Sequence, residues 1–407
     1  MNCRHCRTLL TDLFLDLATA PPSNAYLTAD ELAKPETYYP LRLFVCSECR
    51  LVQTDDYVER EGLFRKDYAY FSSISRTWLN HAGDYSATII RRLGLNRDSF
   101  VIEVGSNDGY LLRNFVAAGI PCLGVEPTDS TADAAETIGI PVLRRFFGQA
   151  LADELSENGT QADLIVGNNV YAHVPDINDF TRGLYTVLKP QGVVTLEFPH
   201  LMRLVEGIQF DTIYHEHFSY LSLFTVKRIF ENAGLRIFDV EELSTHGGSL
   251  RVYGCRKSAK HMETPAVASL LADEKSRGMD GAEFYAAFQE KVCAAKDGLL
   301  AFLLDQKKQG KTVAGYGAAA KGNTLLNYAG VKADLLPFIC DAAPAKQRKF
   351  MPGSRIPILP PQVLLENTPD FLLILPWNIA EEVKQQNAAL AEKGMKFVVA
   401  LPELVVT

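Results

Sequence analysis

The chain lacks any apolar run approaching the roughly 18 residues of a membrane-spanning helix, and no basic-then-apolar leader follows Met1. Neither a membrane span nor a secretory signal is expected, and a cytoplasmic location follows. An excess of basic residues is also missing: 41 Lys and Arg face 49 Asp and Glu, giving a formal charge of -8. That balance disfavours nucleic acid and anionic membrane as partners and leaves small molecules. Cysteine is too sparse for a disulfide framework, with eight in 407 residues. Cys122, Cys255, Cys293 and Cys340 stand singly in apolar surroundings and read as buried thiols. What remains is an ordinary globular composition, 47% hydrophobic and 22% charged, in a chain long enough for two or three cores.

The other four cysteines form two close pairs, Cys3-Arg-His-Cys6 and Cys46-Ser-Glu-Cys49. Each turn places two thiolates for one metal, and two such knuckles complete a tetrahedral Zn²⁺ site. Four Cys leave no open position for substrate, so the zinc is expected to be structural and to fold a small amino-terminal lobe. His5 is read as a bystander.

The chain is organised around residues 100–112, where a short apolar strand passes through Glu103-Val-Gly-Ser-Asn-Asp-Gly109 into helical spacing. Amides at that helix start would face a ligand. Glu103 and Asp108 suit hydroxyl or ammonium groups better than a pyrophosphate, which favours S-adenosylmethionine over a dinucleotide. Gly105, Ser106, Asn107, Asp108 and Gly109 would form its cradle. Glu126 ends the next strand about twenty residues past the turn, where a carboxylate grips ribose hydroxyls. A third strand is expected near 140–143, followed by Phe146 and Phe147 as an adenine-side wall. A fourth strand from Asp163 runs into Asn168, Asn169 and His173 at its ligand-facing end, and a fifth, 192–199, follows a helix over 177–188.

Residues 211–220, Asp-Thr-Ile-Tyr-His-Glu-His-Phe-Ser-Tyr, hold the densest group of acid-base side chains. A metal site, a polar surface loop and a general base with partners all compete for this segment. His215-x-His217 is not the helical i, i+4 pair of a zinc protease, and the weight goes to catalysis. A helix, a strand and then Thr245-His-Gly-Gly-Ser-Leu-Arg-Val-Tyr253 close the sheet, and 259–310 read as a helical connector. A second α/β unit opens at Gly315-Tyr-Gly317-Ala-Ala-Ala320-Lys321-Gly-Asn323, with Asp341 ending the next strand. Alone that fits a dinucleotide fingerprint, yet Lys321 and Asn323 would also suit a pyrophosphate arriving on a substrate. Tyr68, Tyr70 and Ser72, in Asp67-Tyr-Ala-Tyr-Phe-Ser-Ser73, form an aromatic and hydroxyl run suited to a sugar or base.

The order of zinc knuckles, cofactor turn, Tyr-His-Glu-His, His-Gly-Gly-Ser-Leu-Arg and Gly-Tyr-Gly-Ala-x-x-Lys-Gly resembles the three-domain sugar C-methyltransferases acting on nucleotide-linked 4-keto deoxysugars. The resemblance covers essentially the whole chain, with Asn107 replacing the middle glycine of the common cofactor turn. It implies an α/β protein with a zinc-binding lobe (1–66), a class I, Rossmann-like methyltransferase domain (67–258) and a Rossmann-like carboxy-terminal domain (259–407). The second glycine turn would then hold the substrate nucleotide, dTDP by expectation, rather than NAD. Carried over by motif, the catalytic group falls on Tyr214, Glu216 and His217. His173 and a tyrosine of 68–70 would line the sugar site, with Ser72, His246, Gly317, Lys321 and Asn323 also on the substrate. His217 is the expected base, removing the C3 proton beside the C4 ketone, with Glu216 orienting it or a neighbouring donor. An NAD(P)-dependent sugar-nucleotide oxidoreductase and a non-enzymatic zinc-ribbon binding module are the competing readings.

Overall fold

The computed structural model describes residues 1–55, 57 and 71–407. Three sheets organise them. The first is antiparallel and begins with β1 (Asp12–Ala20), β2 (Tyr39–Val45) and β3 (Val52–Thr54). Alternation along β2 buries Leu41, Leu43 and Val45 on one face, as a half-solvated antiparallel strand requires.

The central sheet is built from β4 (Val101–Val104), β5 (Cys122–Val125), β6 (Val142–Leu143), β7 (Ala162–Asn168) and β8 (Leu188–Pro199), all parallel. After β9 (Ser219–Tyr220) come β10 (Leu235–Leu243) and β11 (Ser249–Arg256), and β11 runs antiparallel between β8 and β10. The order β10-β11-β8-β7-β4-β5-β6 reverses direction between β4 and β7. That switch point is where open α/β sheets bind ligands, outside the carboxyl ends of the strands. Every residue of β4 is buried, and apart from Glu103 all are apolar, as a central parallel strand covered on both faces requires.

β9 does not join the central sheet. It pairs with β3, so two residues that follow the Tyr-His-Glu-His segment complete the sheet of the amino-terminal lobe. The connector is not one helix but three, Pro265–Ser276, Glu283–Ala286 and Phe288–Lys308. The break falls at Gly278, whose φ of +80° ends the first helix in the left-handed region. The third sheet holds β12 (Val313–Tyr316), β13 (Ile339–Cys340), β14 (Ile358–Leu359), β15 (Phe371–Ile374), β16 (Lys396–Val399) and β17 (Val405–Val406), with only β17 antiparallel. One continuous apolar core joins the first and third sheets, from Leu41 and Leu43 through Phe210 and Phe288 to Leu325 and Leu373. The amino-terminal and carboxy-terminal sheets thus share one core, and Phe210 and Ile213 belong to it just before residues 214–217. Among the described residues no helix is long and apolar enough to cross a membrane.

Candidate active site

The turn after β4 carries the tight geometry its glycines predict. Gly109 has φ +76°, and a Cβ there would stand 2.4 Å from the Ile140 side chain. Around this turn lies a group of buried polar atoms without a hydrogen-bond partner among the described residues: both oxygens of Glu103, Ser106 Oγ, Asp108 Oδ1, both amide atoms of Asn168, and Asn169 Oδ1. Buried polar groups are normally paired, so this concentration marks the place of a polar ligand. Burial, with the charges of Asp108 and Glu126 nearby, holds the Glu103 carboxyl well above the usual carboxylate range. An ammonium or hydroxyl ligand would satisfy it. The set fits the amino-acid and ribose groups of S-adenosylmethionine.

Glu126 is placed differently from Glu103. Its Oε2 accepts from the Asn107 amide at 2.9 Å, and its Oε1 from the amide and hydroxyl of Thr128 at 3.0 and 2.6 Å. It braces the turn while remaining beside it. Residues 72 and 73 lie over the same turn, the Ser72 amide donating to Asn107 Oδ1 at 2.9 Å and the Ser73 amide to Asp108 Oδ2 at 3.0 Å. Phe147 is buried edge-on against Phe180 at 5.2 Å. Tyr68 and Tyr70 lie outside the described residues.

The expected catalytic residues converge. The His217 ring lies against Tyr214, tilted by 33° with centroids 4.1 Å apart, and meets His173 edge-on at 4.5 Å. His217 Nδ1 lies 2.8 Å from the Thr212 carbonyl, which can only accept. The proton is thereby held on Nδ1, and Nε2 is the basic nitrogen. Burial, with the nearby His173, keeps His217 well below its usual pKa, and burial holds His173 at about 4. The Glu216 carboxylate accepts from Asn24 Nδ2 at 2.6 Å, so it reaches toward the amino-terminal lobe, while the Thr212 carbonyl orients His217. His246, at φ +53°, stands over Trp78 at 5.1 Å, and burial holds it near 4 as well.

A buried ionic node supports this wall. Glu197 at the end of β8 accepts from His81 Nε2 at 2.9 Å, Arg251 Nη2 at 2.9 Å and Thr245 Oγ1 at 3.0 Å. Burial alone would raise its carboxyl, but His81 and Arg251 outweigh that and lower it.

The second glycine turn is occupied by the protein itself. Asp341, where a ribose would sit in a dinucleotide site, has Oδ2 taken by the Ala318 amide at 2.7 Å and Oδ1 by the Ala343 amide at 2.8 Å. Tyr26, from the amino-terminal lobe, donates to the Ala318 carbonyl at 2.6 Å, and Lys346 to the same oxygen at 3.0 Å. Lys321 Nζ rests over the Trp377 ring at 4.6 Å and donates to Asn378 Oδ1 at 2.7 Å. Trp377 Nε1 in turn donates to buried Asp211 at 2.7 Å. Asn323 is fully buried with its Nδ2 lacking a partner among the described residues. The first turn of the helix Ala320–Tyr328 lies near His217 and His246, where the charge of Lys321 is felt.

The four knuckle thiols form one cluster, all Sγ atoms within 4.8 Å of one another, with Cys3 to Cys49 at 3.5 Å and Cys6 to Cys46 at 3.4 Å. A tetrahedral zinc with bonds of about 2.3 Å asks for sulfur separations of about 3.8 Å, so the set fits the ion. His5 has both ring nitrogens engaged, Nδ1 with Asn178 at 2.8 Å and Nε2 with Asn232 at 3.1 Å, and stays a bystander.

Comparison with known proteins agrees with this arrangement. Residues 3–64 match the model of a zinc binding domain, 78–240 a methyltransferase domain and 244–402 the C-methyltransferase C-terminal domain. Over 401 residues, 98% of this chain and 95% of the relative, it is 35% identical to the C-methyltransferase NovU of Streptomyces niveus. The chain belongs to the three-domain C-methyltransferase family. This C-methyltransferase therefore uses S-adenosylmethionine and carries zinc, and neither the oxidoreductase nor the binding-module reading stands. Shorter matches include the ubiquinone biosynthesis O-methyltransferase of Bartonella tribocorum, 24% identical over 33% of this chain and 64% of that one. Among solved structures, the magnesium protoporphyrin IX methyltransferase of Synechocystis PCC 6803 with bound S-adenosylmethionine is 14% identical, covering 44% of this chain and 82% of its own, at a TM-score of 0.33.

Asn24, Trp377 and the His81–Glu197 pair adjoin these residues and were not pointed to by the motifs, whereas Asp211 and Thr212 fall inside the 211–220 segment.

Proposed function

We propose that this C-methyltransferase methylates C3 of a nucleotide-linked 4-keto deoxysugar, with dTDP as the nucleotide. The observation that carries the reading is the imidazole of His217, neutral, buried and fixed with its proton on Nδ1 by the Thr212 carbonyl. Such a nitrogen can take a carbon-bound proton only where the substrate acidifies it, and a ketone on the adjacent carbon does so. Nε2 removes the C3 proton, leaving an enolate whose charge lies on the C4 oxygen. His173 and Tyr214 flank His217 and are the donors for that oxygen, each contributing about 2.7–4 kcal/mol by analogy with oxyanion holes. S-adenosylmethionine supplies an electrophilic methyl group to C3. Glu103, Asn168 and Asn169 hold its polar end, with Glu126 bracing the turn on its ribose side. Gly317, Lys321 and Asn323 take the nucleotide diphosphate, and Ser72 and His246 border the sugar.

Mass spectrometry of products from a panel of nucleotide-linked sugars tests the substrate class: a mass gain of one methylene on 4-keto substrates alone is expected, and methylation of sugars lacking the ketone would refute the enolate route. For the base, His217→Ala should bind S-adenosylhomocysteine as wild type does while losing both methyl transfer and exchange of the C3 hydrogen with solvent deuterium. Exchange at the wild-type rate would remove His217 from that role.

A further inference from the structure

One side chain ties the zinc knuckle to both catalytic histidine segments. Arg4 lies between Cys3 and Cys6 and is 5% exposed. Its Nε donates to the Phe218 carbonyl at 3.3 Å, its Nη1 to the Pro175 carbonyl at 3.0 Å and its Nη2 to the Thr54 carbonyl at 2.9 Å. The guanidinium carbon also stands 5.0 Å from the centre of the Phe218 ring. Phe218 is the residue after His217, and Pro175 is two beyond His173. Between the same segments the Phe218 amide donates to the Ala172 carbonyl at 2.8 Å, and Thr54 adds a contact from its hydroxyl to the His217 carbonyl at 3.4 Å.

The knuckle fixes the other end of this side chain. The Arg4 amide donates to Gln53 Oε1 at 2.8 Å, and Gln53 Nε2 reaches Cys3 Sγ at 3.3 Å. Hydrogen bonds from outside a metal's ligands orient those ligands and are in turn oriented by them. A guanidinium is a planar, rigid fork of donors, so three carbonyls bound to it have their mutual spacing set. A lysine ammonium offers one mobile point charge and cannot set three.

We propose that Arg4 is a positioning residue: the zinc knuckle fixes its guanidinium, and the guanidinium clamps residues 172–175 to 217–218 so that His173 and His217 meet edge-on. The zinc lobe thereby serves the chemistry without touching substrate. This rests on the reading of His217 as the base, and the test separates the two.

Full-length zinc-loaded protein labelled with ring-¹⁵N histidine is compared as wild type, Arg4→Ala, Arg4→Lys and His217→Ala, the last assigning the His217 signals. In Arg4→Ala the zinc content and S-adenosylhomocysteine affinity stay as in wild type, while the His217 nitrogens lose the fixed Nδ1-protonated pattern and titrate closer to the free imidazole. Turnover of the best panel substrate falls about 100-fold, the cost of roughly an ångström of misplacement. Added guanidinium chloride restores the pattern and the turnover in Arg4→Ala and not in Arg4→Lys. Wild-type His217 signals in Arg4→Ala would overturn the proposal, as would a loss of turnover that follows zinc loss and that guanidinium leaves unrepaired. If Arg4→Ala does not fold, Arg4→Lys carries the same readouts: wild-type His217 signals there overturn the clamp. Retained C3 exchange in His217→Ala would instead remove the base assignment, leaving the clamp to be judged on the nitrogen signals.

Discussion

Replacing Glu103 by Gln should separate cofactor binding from stability in opposite directions. The carboxyl is fully buried, and neither oxygen has a hydrogen-bond partner among the described residues. With the cofactor's ammonium as its partner, removing its charge costs about 1.5–3 kcal/mol, the value of a hydrogen bond to a charged group. In dissociation constant that is a weakening of about 10- to 150-fold. Stability of the unliganded protein moves the other way. The folded protein holds this carboxyl's proton well above the ordinary value of 4.5. Across that window the native state binds more protons than the unfolded chain, so stability is full below about 4.5 and falls as pH rises through the folded value. A glutamine removes that decline, and the variant's advantage over wild type grows with pH.

Binding of an ammonium against Glu103 should also expel its proton. Calorimetry of S-adenosylhomocysteine in phosphate and in Tris at one pH reads that release as a difference in apparent enthalpy, and Glu103→Gln should abolish the difference. Binding by the variant as tight as wild type, with the same buffer dependence, would refute the placement of the methionine end at Glu103.

The buried histidines predict an acid limit to stability: His173 and His246 sit at about 4 and His217 well below 6.5, so the unfolded chain takes up protons first, and stability present above pH 6.5 is lost toward pH 4 in urea titrations. Because burial and His173 hold His217 well below 6.5, the acid limb of kcat should lie below pH 6.5, and a limb near 7 would contradict its depressed pKa. A Cys3→Ser, Cys46→Ser double variant should lose the single zinc of the wild-type chain by elemental analysis, and with it on the order of 10 kcal/mol of metal-coupled folding energy; full occupancy would refute the four-thiol site. Titration with NADH should show no binding, and Gly317→Ala, whose Cβ would meet Pro376 at 2.4 Å with φ at +86°, should weaken binding of dTDP while leaving S-adenosylhomocysteine affinity intact.

What could be read along the chain was what the chain makes locally. The parallel strands announced themselves as short apolar runs because both their faces are covered, the cofactor turn by its glycines, the zinc site by pairs of thiols two residues apart. The residues that finish the site have no such signature. Arg4 reaches carbonyls 50, 171 and 214 positions away, and Asn24 reaches Glu216 across 192. A backbone carbonyl such as that of Thr212 carries no side-chain code at all, and it is the group that fixes the His217 tautomer. β9 shows the same limit in reverse: Ser219-Tyr220 follows the Tyr-His-Glu-His segment in sequence, yet its backbone completes the lobe's sheet.

The second glycine turn shows why a motif's chemistry is decided by its surroundings. Gly315, Gly317, Ala320 and Asp341 have the spacing of a dinucleotide site, and β12, β13 and the helix Ala320–Tyr328 form the expected strand-turn-helix unit. A ribose needs the free carboxylate of that aspartate. Here two backbone amides take one oxygen each, and Lys346 stands 3.5 Å from Oδ2. Tyr26 arrives from another sheet altogether to bond the Ala318 carbonyl. The contacts that take up Asp341 and the Ala318 carbonyl also anchor the amino-terminal lobe against the turn, and the Gly317 and Ala319 amides are taken by the Cys340 and Gly317 carbonyls at 2.7 and 2.8 Å. The glycine turn thus keeps the strand-turn-helix spacing of a dinucleotide site while losing the ribose grip, because its own amides and Asp341 are spent on the protein.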